Sequence, residues 1–481
     1  MNGVISPIWC MEIVFIFQFQ NFCYSPYMAK RKTLDADGHW RPKKLKIEFT
    51  SEKLTPSSGL GVMVDAFVDS PQYLGLKKCI PERNSNASYD PMQFVLPLLA
   101  SFWYGYDCLE DVEKIESKPD LQHIFEGVPS ARAIGDFLRD FTEEHFFQLN
   151  EFLVKQSLAA RRALAPNAPI TIDMDATSHV QSGFKIEGVE TNYKGEWCLD
   201  SLDSFDELGF CFGFKLRSGA THSSVNAEDE IKRIFSHLKE FKERYFRADS
   251  AYCNEAVMRQ CLLSGAKFTI TAHGNTGWEN QVHQIQNWEP WVYTEEEKRV
   301  AAAKKRELPE IELGSMQYSP AWADHIRFQI VVKRTKAEKT SLFEQDGYSY
   351  YGVITNVDLF YNTKQWVMEH HHKRGNSENF IREKKIHMDL KHFPCLKMNA
   401  NTAYGLIAMV SYNFLRLIAR LDSPNKPHFA KKIREKFVFI PGKVVKHARQ
   451  YFLRIPETFR KEVELMKVGW AGLLQAALAM G

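Results

Sequence analysis

One short stretch gathers the residue types that chemistry on a phosphate needs. In His371-His372-Lys373-Arg374-Gly375-Asn376-Ser377-Glu378-Asn379-Phe380-Ile381-Arg382-Glu383-Lys384-Lys385, a carboxylate stands between cationic side chains. The segment from Thr363 to Met388 reads as helix. At about 100° per residue, His371, Arg374, Glu378 and Lys385 project within roughly 60° of one another. An acid on such a stripe can hold a divalent cation, and the bases beside it can hold DNA phosphates, as metal-assisted phosphoryl transfer requires. The bland alternative is a solvated helix face laced by ion pairs one turn apart. The stripe alone does not separate the two.

The elements upstream do. Pro169-Ile170-Thr171-Ile172-Asp173-Met174-Asp175-Ala176-Thr177 alternates apolar and polar residues, so it is a strand with Asp173 and Asp175 on one face. A second strand runs from Phe210 to Arg217, followed by an amphipathic helix from Ala227 to Phe241. Arg244 to Ser250 is a strand that ends on Asp249, ahead of a helix from Asn254 to Leu263. Ala266 to Ala272 is a strand, and so is Tyr348 to Val357. Strands alternating with helices predict an α/β sheet, and sites in such sheets are built at strand ends. A charge inside an apolar strand is costly unless it is paired or metal-bound. Asp175, Asp249 and Glu378 are therefore the candidate metal ligands, with Asp173 as a neighbour able to exchange roles with Asp175. Three converging carboxylates suit a pair of Mg²⁺ ions, for which Mn²⁺ would substitute.

Before this sheet the chain is helical from Gly59 to about Gln156, with Ser130 as the expected N-cap of a helix beginning at Ala131. At 481 residues, 44% hydrophobic and 25% charged, the composition is that of a globular protein with more than one domain. The net charge is only +3, but the bases cluster. Lys30 to Lys46 holds seven Lys or Arg against two Asp, and Lys426 to Arg454 holds nine against one Glu. Such clusters suit a polyanion. Nine cysteines without a CxxC pair argue against a disulfide framework or zinc ribbon and for a reducing cytoplasm. The apolar run Val14 to Phe19 is too short to span a bilayer, and Met28 looks the more natural start. No Gly-rich phosphate loop implies ATP use. His370, His371 and His372 point about 100° apart and cannot form one chelate.

Taken together, the motifs resemble the bacterial insertion-sequence transposases with a DDE domain that carry a Tyr-x2-Arg-x3-Glu-x6-Lys signature. Arg374, Glu378 and Lys385 fall in its register, and His371 stands at the tyrosine position. Asp-x-Thr at Asp175 and Arg-Ala-Asp-Ser at Asp249 resemble the two aspartate motifs, in the expected order. The resemblance runs from roughly Gly59 to Pro456. It implies an RNase H-like mixed sheet flanked by helices, interrupted by a β-rich insertion and preceded by a helical domain.

The expected division is a leader over 1–28, a helical DNA-end-binding domain over 29–160, and a catalytic domain over 161–272 and 348–425. An insertion over 273–347 splits that domain, and a basic tail covers 426–481. The insertion carries Trp278, Trp288, Trp291 and Trp322, and relatives stack one tryptophan there on a flipped base. Lys333, Arg334 and Lys336 lie in the same stretch. The resemblance further implies binding of terminal inverted repeats and Mg²⁺-dependent cutting and joining of ends. His371, Arg374, Lys385, Lys443, Lys446 and Arg449 would contact DNA. The expected partners are double-stranded DNA and a second copy in a synaptic complex, with no membrane. A nuclease without strand transfer and a non-catalytic DNA-binding remnant are the alternatives.

Overall fold

Ile170, Ile172 and Met174 send one face of a strand into an apolar core, while Thr171, Asp173 and Asp175 take the other face, as a period of two requires. The computed structural model describes residues 47–84, 87–125, 127–183, 185–323, 325–336 and 347–467; the expected leader and the basic cluster Lys30 to Lys46 lie outside them. Within it, β1 (Ile170–Val180) is followed by β2 (Trp197–Asp206), β3 (Cys211–Ser218), β4 (Arg244–Ala248) and β5 (Lys267–Thr271). Then come β6 (Ile311–Tyr318), β7 (Phe328–Lys336) and β8 (Tyr348–Thr355).

These strands form one mixed sheet in the order β3-β2-β1-β4-β5-β8-β7-β6. Two short strands complete it, Glu190–Thr191 against β2 and Glu289–Pro290 beyond β6. β1, β4 and β5 run parallel to one another, and the other neighbours are antiparallel. The stretch expected as a separate insertion thus supplies β6 and β7 to the central sheet. Backbone pairing of β7 with β8, from Gln329 opposite Thr355 to Lys336 opposite Tyr348, makes them continuous with it.

Helices Ala227–Ser236 and Glu255–Leu263 cover the apolar face through Ile231, Ile234, Val257 and Met258. The acid-bearing face is covered by two other helices. Lys364–His372 lies over β5, β8, β7 and β6, and Gly375–His387 over β1 and β2.

The helix Met398–Asp422 has the length and apolarity of a membrane span, but 94% of its most apolar window is buried in the protein. It is a core helix. It packs on β3 so closely that a Cβ at Gly405 would sit 2.4 Å from the Phe214 ring. Its other sides meet the N-terminal helices Pro91–Tyr104, Ala131–Leu138 and Glu143–Leu164. Phe67, Trp103 and Phe414 interlock there edge to face, with centroids 5.1 to 5.8 Å apart. Such contacts add about 0.5–1.5 kcal/mol per pair beyond the area buried. Ser130 caps its helix as expected, accepting from the Ala133 N–H at 3.3 Å.

The C-terminal bases do not form a free tail. Gly442–His447 and Gln450–Arg454 make a hairpin whose first strand pairs with Leu54–Thr55; Val444 is buried, and Leu453 packs against the helical core.

Candidate active site

Acids in the sheet divide by whether a cation closes them. Asp173 is sealed: Arg247 Nε and Nη2 each donate to one of its oxygens at 2.6 Å, with both side chains buried. Asp200 is closed by Arg217, Asp203 by Lys384 and Asp206 by Arg161. Asp175 is different. Its one cationic contact among the described residues is Arg374 Nη1 at 3.5 Å. Asp249 has no ion pair among the described residues; one of its oxygens accepts the Ala251 N–H at 2.9 Å, capping a short turn at the end of β4. Burial, and after it the negative charge of Asp249, push the Asp175 carboxyl up to about 7, while Arg374 pulls the other way. Asp173, expected to be interchangeable with Asp175, has both oxygens engaged by Arg247, so Asp175 is the acid left open toward Asp249.

The predicted single helix from Thr363 to Met388 is two helices. Between them the N–H groups of Arg374, Asn376 and Ser377 bond three residues back, to His371, Lys373 and Arg374. This tight turn falls next to Gly375, the weakest helix former in the stretch. The break lets the two halves serve different strands. It aims Arg374 at Asp175, and Lys385 donates to the Ser178 carbonyl of β1 at 2.7 Å. Glu378 lies between them in the first turn of Gly375–His387 and is exposed. Among the described residues, the group of three or more acid, cysteine or histidine side chains whose ligand atoms all lie within 4.8 Å of one another is Asp107, Cys108 and Asp111, none of them in the predicted triad.

His371 corrects an expectation. It was read as a phosphate contact, but it is 1% exposed. Its Nδ1 faces the Thr269 carbonyl at 3.1 Å, and its Nε2 lies 3.0 Å from both the Thr271 and Tyr351 hydroxyls. Burial first, and Arg374 next, hold its pKa down to about 3, so it is a neutral strut without access to DNA. His370 is likewise buried, stacked on Trp366. The three histidines do diverge, and only His372 is exposed.

Two participants escaped the sequence reading. Asp203 sits directly across from Asp175 in the β1–β2 register. The fully buried Lys384 pairs with Asp203 and donates to Ser201 at 3.1 Å; Ser201 in turn meets His179 Nε2 at 2.8 Å. This network clamps the Glu378 helix onto the strand that carries Asp175. Its one legible signal was the Lys384-Lys385 pair, in which two adjacent helical lysines cannot both face solvent equally.

Asp175 in the middle of β1 and Asp249 at the end of β4 thus stand on adjacent parallel strands, with the helix of Arg374, Glu378 and Lys385 laid across the sheet. The family model described as "Transposase DDE domain group 1" matches residues 38–471. The chain belongs to that family of DDE transposases. No curated protein matches it.

In this transposase the four insertion-region tryptophans all have packing partners. Trp278 is buried, and Trp291 packs against the small apolar cluster that includes Leu313 and Val331. Trp322 carries Arg259 over its ring at 4.8 Å, and Trp288 carries Arg334 at 4.1 Å. Arg334 is further tied to Glu312, and Lys336 to Glu310 at 2.9 Å. In the hairpin, Lys443 pairs with Glu52, Lys446 lies over the Tyr451 ring at 5.0 Å, and Arg449 is exposed at the turn.

Proposed function

We propose that this transposase has an RNase H-like catalytic core in which Asp175, Asp249 and Glu378 hold divalent metal for DNA cleavage and strand transfer. The observation that carries the reading is the pair Asp175 and Asp249. They are close enough for one to raise the other's pKa, and they are left open while the neighbouring acids of the sheet are closed by cations. The order β3-β2-β1-β4-β5, with an antiparallel half followed by parallel strands, supports the RNase H-like assignment. Oxygen-only donors whose repulsion a dication relieves fit Mg²⁺ or Mn²⁺. Such ions, when bound, would lower the pKa of the attacking oxygen and neutralise charge on the phosphate.

The protein's own groups do the rest. Arg374 sits against Asp175 and can offer a planar fork to a phosphate, and Lys385 adds a point charge further along the same helix. In cleavage a water oxygen bonds to phosphorus, loses its proton, and the 3′-oxygen leaves. In joining, that freed 3′-hydroxyl attacks a target phosphodiester in the same way. The substrate would be double-stranded DNA bearing the element's terminal inverted repeats, held by two copies of the chain in a synaptic complex. The described cysteines are all free, which supports a reducing cytoplasm.

The test is to incubate the purified chain with a plasmid carrying its own gene and flanking DNA, with Mg²⁺ or Mn²⁺. Ends cut at the inverted repeats and joined to new sites are expected. Cutting without joining would leave a nuclease of this family.

A further inference from the structure

Three cations lie close together on β7, and two are closed. Arg334 is held by Glu312 and flanked by the Trp288 and Tyr348 rings, and Lys336 is held by Glu310. Lys333 has no acid partner among the described residues. Its ammonium is instead 3.5 Å from His372 Nε2 and 5.5 Å from the centre of the Tyr351 ring. Burial lowers the pKa of Lys333, and burial followed by Lys333 lowers that of His372. Glu369, one turn before His372, is bonded to Gln365 at 2.7 Å. Two nitrogen groups that can each carry a proton have thus been brought together without an anion between them.

Their position is as informative as their contacts. Lys333 is directly opposite Tyr351 in the β7–β8 register. The Tyr351 hydroxyl is fixed by Thr271 at 2.9 Å and by neutral His371 at 3.0 Å. Thr271 follows Ile270, which pairs with Ala248, so it lies one strand away from Asp249. Asp249, Thr271, Tyr351 and Lys333 therefore step across four neighbouring strands on the helix-covered face. Thr271 is registered with Val353, two residues from Tyr351, so three strand spacings and that offset put Lys333 about 16 Å from Asp249, a few nucleotides along a DNA strand.

We propose that Lys333 and His372, walled by Tyr351, form a subsite for a backbone phosphate of the DNA strand whose cleavage point lies at Asp175 and Asp249. The subsite rests on the transposase reading of those acids. A phosphate oxygen there accepts from the Lys333 ammonium and from His372 Nε2–H, supplying the missing counter-charge. The anchored tyrosine keeps both groups from collapsing onto the sheet.

The experiment is a set of binding isotherms for the full chain on a short labelled duplex of arbitrary sequence, across a salt series. Lys333→Gln should flatten the log–log salt slope by about one unit, the signature of one lost phosphate contact. Lys336→Gln, on the same strand but paired with Glu310, should leave it unchanged. His372→Gln, at an exposed position, should weaken binding several-fold with an unchanged melting temperature, and it stands in if Lys333→Gln fails to fold. A wild-type slope for Lys333→Gln, an equal loss in Lys336→Gln, or wild-type binding by His372→Gln would overturn the subsite. None of these readings depends on cleavage. A chain that binds through Lys333 and never cuts DNA would instead contradict the transposition reading.

Discussion

Asp175 works against the stability of the fold that holds it. Its ordinary pKa of 3.8 rises to about 7 in the folded chain. Between those values the unfolded chain has released the proton that the folded chain keeps. The group's contribution to stability is therefore complete below the unfolded value and is lost as pH climbs to about 7. Asp175→Asn removes that loss. The variant should be more stable than wild type at pH 8 by roughly 1–2 kcal/mol, with the gap closing toward pH 4. Denaturant melts at the two pH values measure this, and a variant less stable at pH 8 than at pH 4, relative to wild type, would contradict the assignment. Asp175 and Asp249 were legible because a charge in an apolar strand is a costly exception that draws notice. Asp203 was not. The segment Trp197 to Asp206 is rich in Asp and Ser, residues with low strand preference, so the strand itself went unread and its acids with it. The cations that close its acids, Arg217 on Asp200, Lys384 on Asp203 and Arg161 on Asp206, make sense of that composition.

At the scale of elements, periodicity found the helix that carries Glu378 but not where it breaks. From Thr363 to Met388 the residues are good helix formers, and nothing local except Gly375 marks the break. The break arises because His370 and His371 are anchored on β1 and β5, whereas Lys384 and Lys385 are anchored on β1 and β2. The hairpin shows the same principle in reverse. Its alternation of Val444, Lys446, Tyr451 and Leu453 is visible in the sequence, but the bases around it invited a tail. Its two-residue turn puts Ala448 and Arg449 at φ +46° and +68°, the left-handed region that glycine favours. Arg449 is exposed at the tip and is held there at some conformational cost. Arg449→Gly should therefore leave stability equal or higher while weakening DNA binding and flattening its salt slope by about one unit. Paired melting and binding measurements decide it. An unchanged slope would return Arg449 to an ordinary exposed turn.

For the whole molecule, the division expected at about residue 160 is absent from the packing. One apolar cluster runs from Leu60 through Trp103 and Phe137 to Phe214, Tyr404 and Ile440, so the helical head, β3, the helix Met398–Asp422 and the hairpin share a core. Sequence could show that each helix has an apolar face but not which distant segment covers it, because periodicity reports burial and not partners. This shared core ties the Glu378 helix, through Glu383 and the Ala430 N–H at 2.6 Å, to the C-terminal elements that carry the basic hairpin. On the proposed function, Glu378 of that helix completes the site made by Asp175 and Asp249. The direct measurement is metal-dependent nicking, beside DNA affinity, for wild type and Glu378→Gln on the same end-bearing plasmid. Glu378 is exposed and makes no described ion pair, so the substitution should leave folding and DNA affinity at wild-type values. Nicking in Mg²⁺ or Mn²⁺ should fall by at least about a hundredfold. Nicking by Glu378→Gln at the wild-type rate would contradict the account.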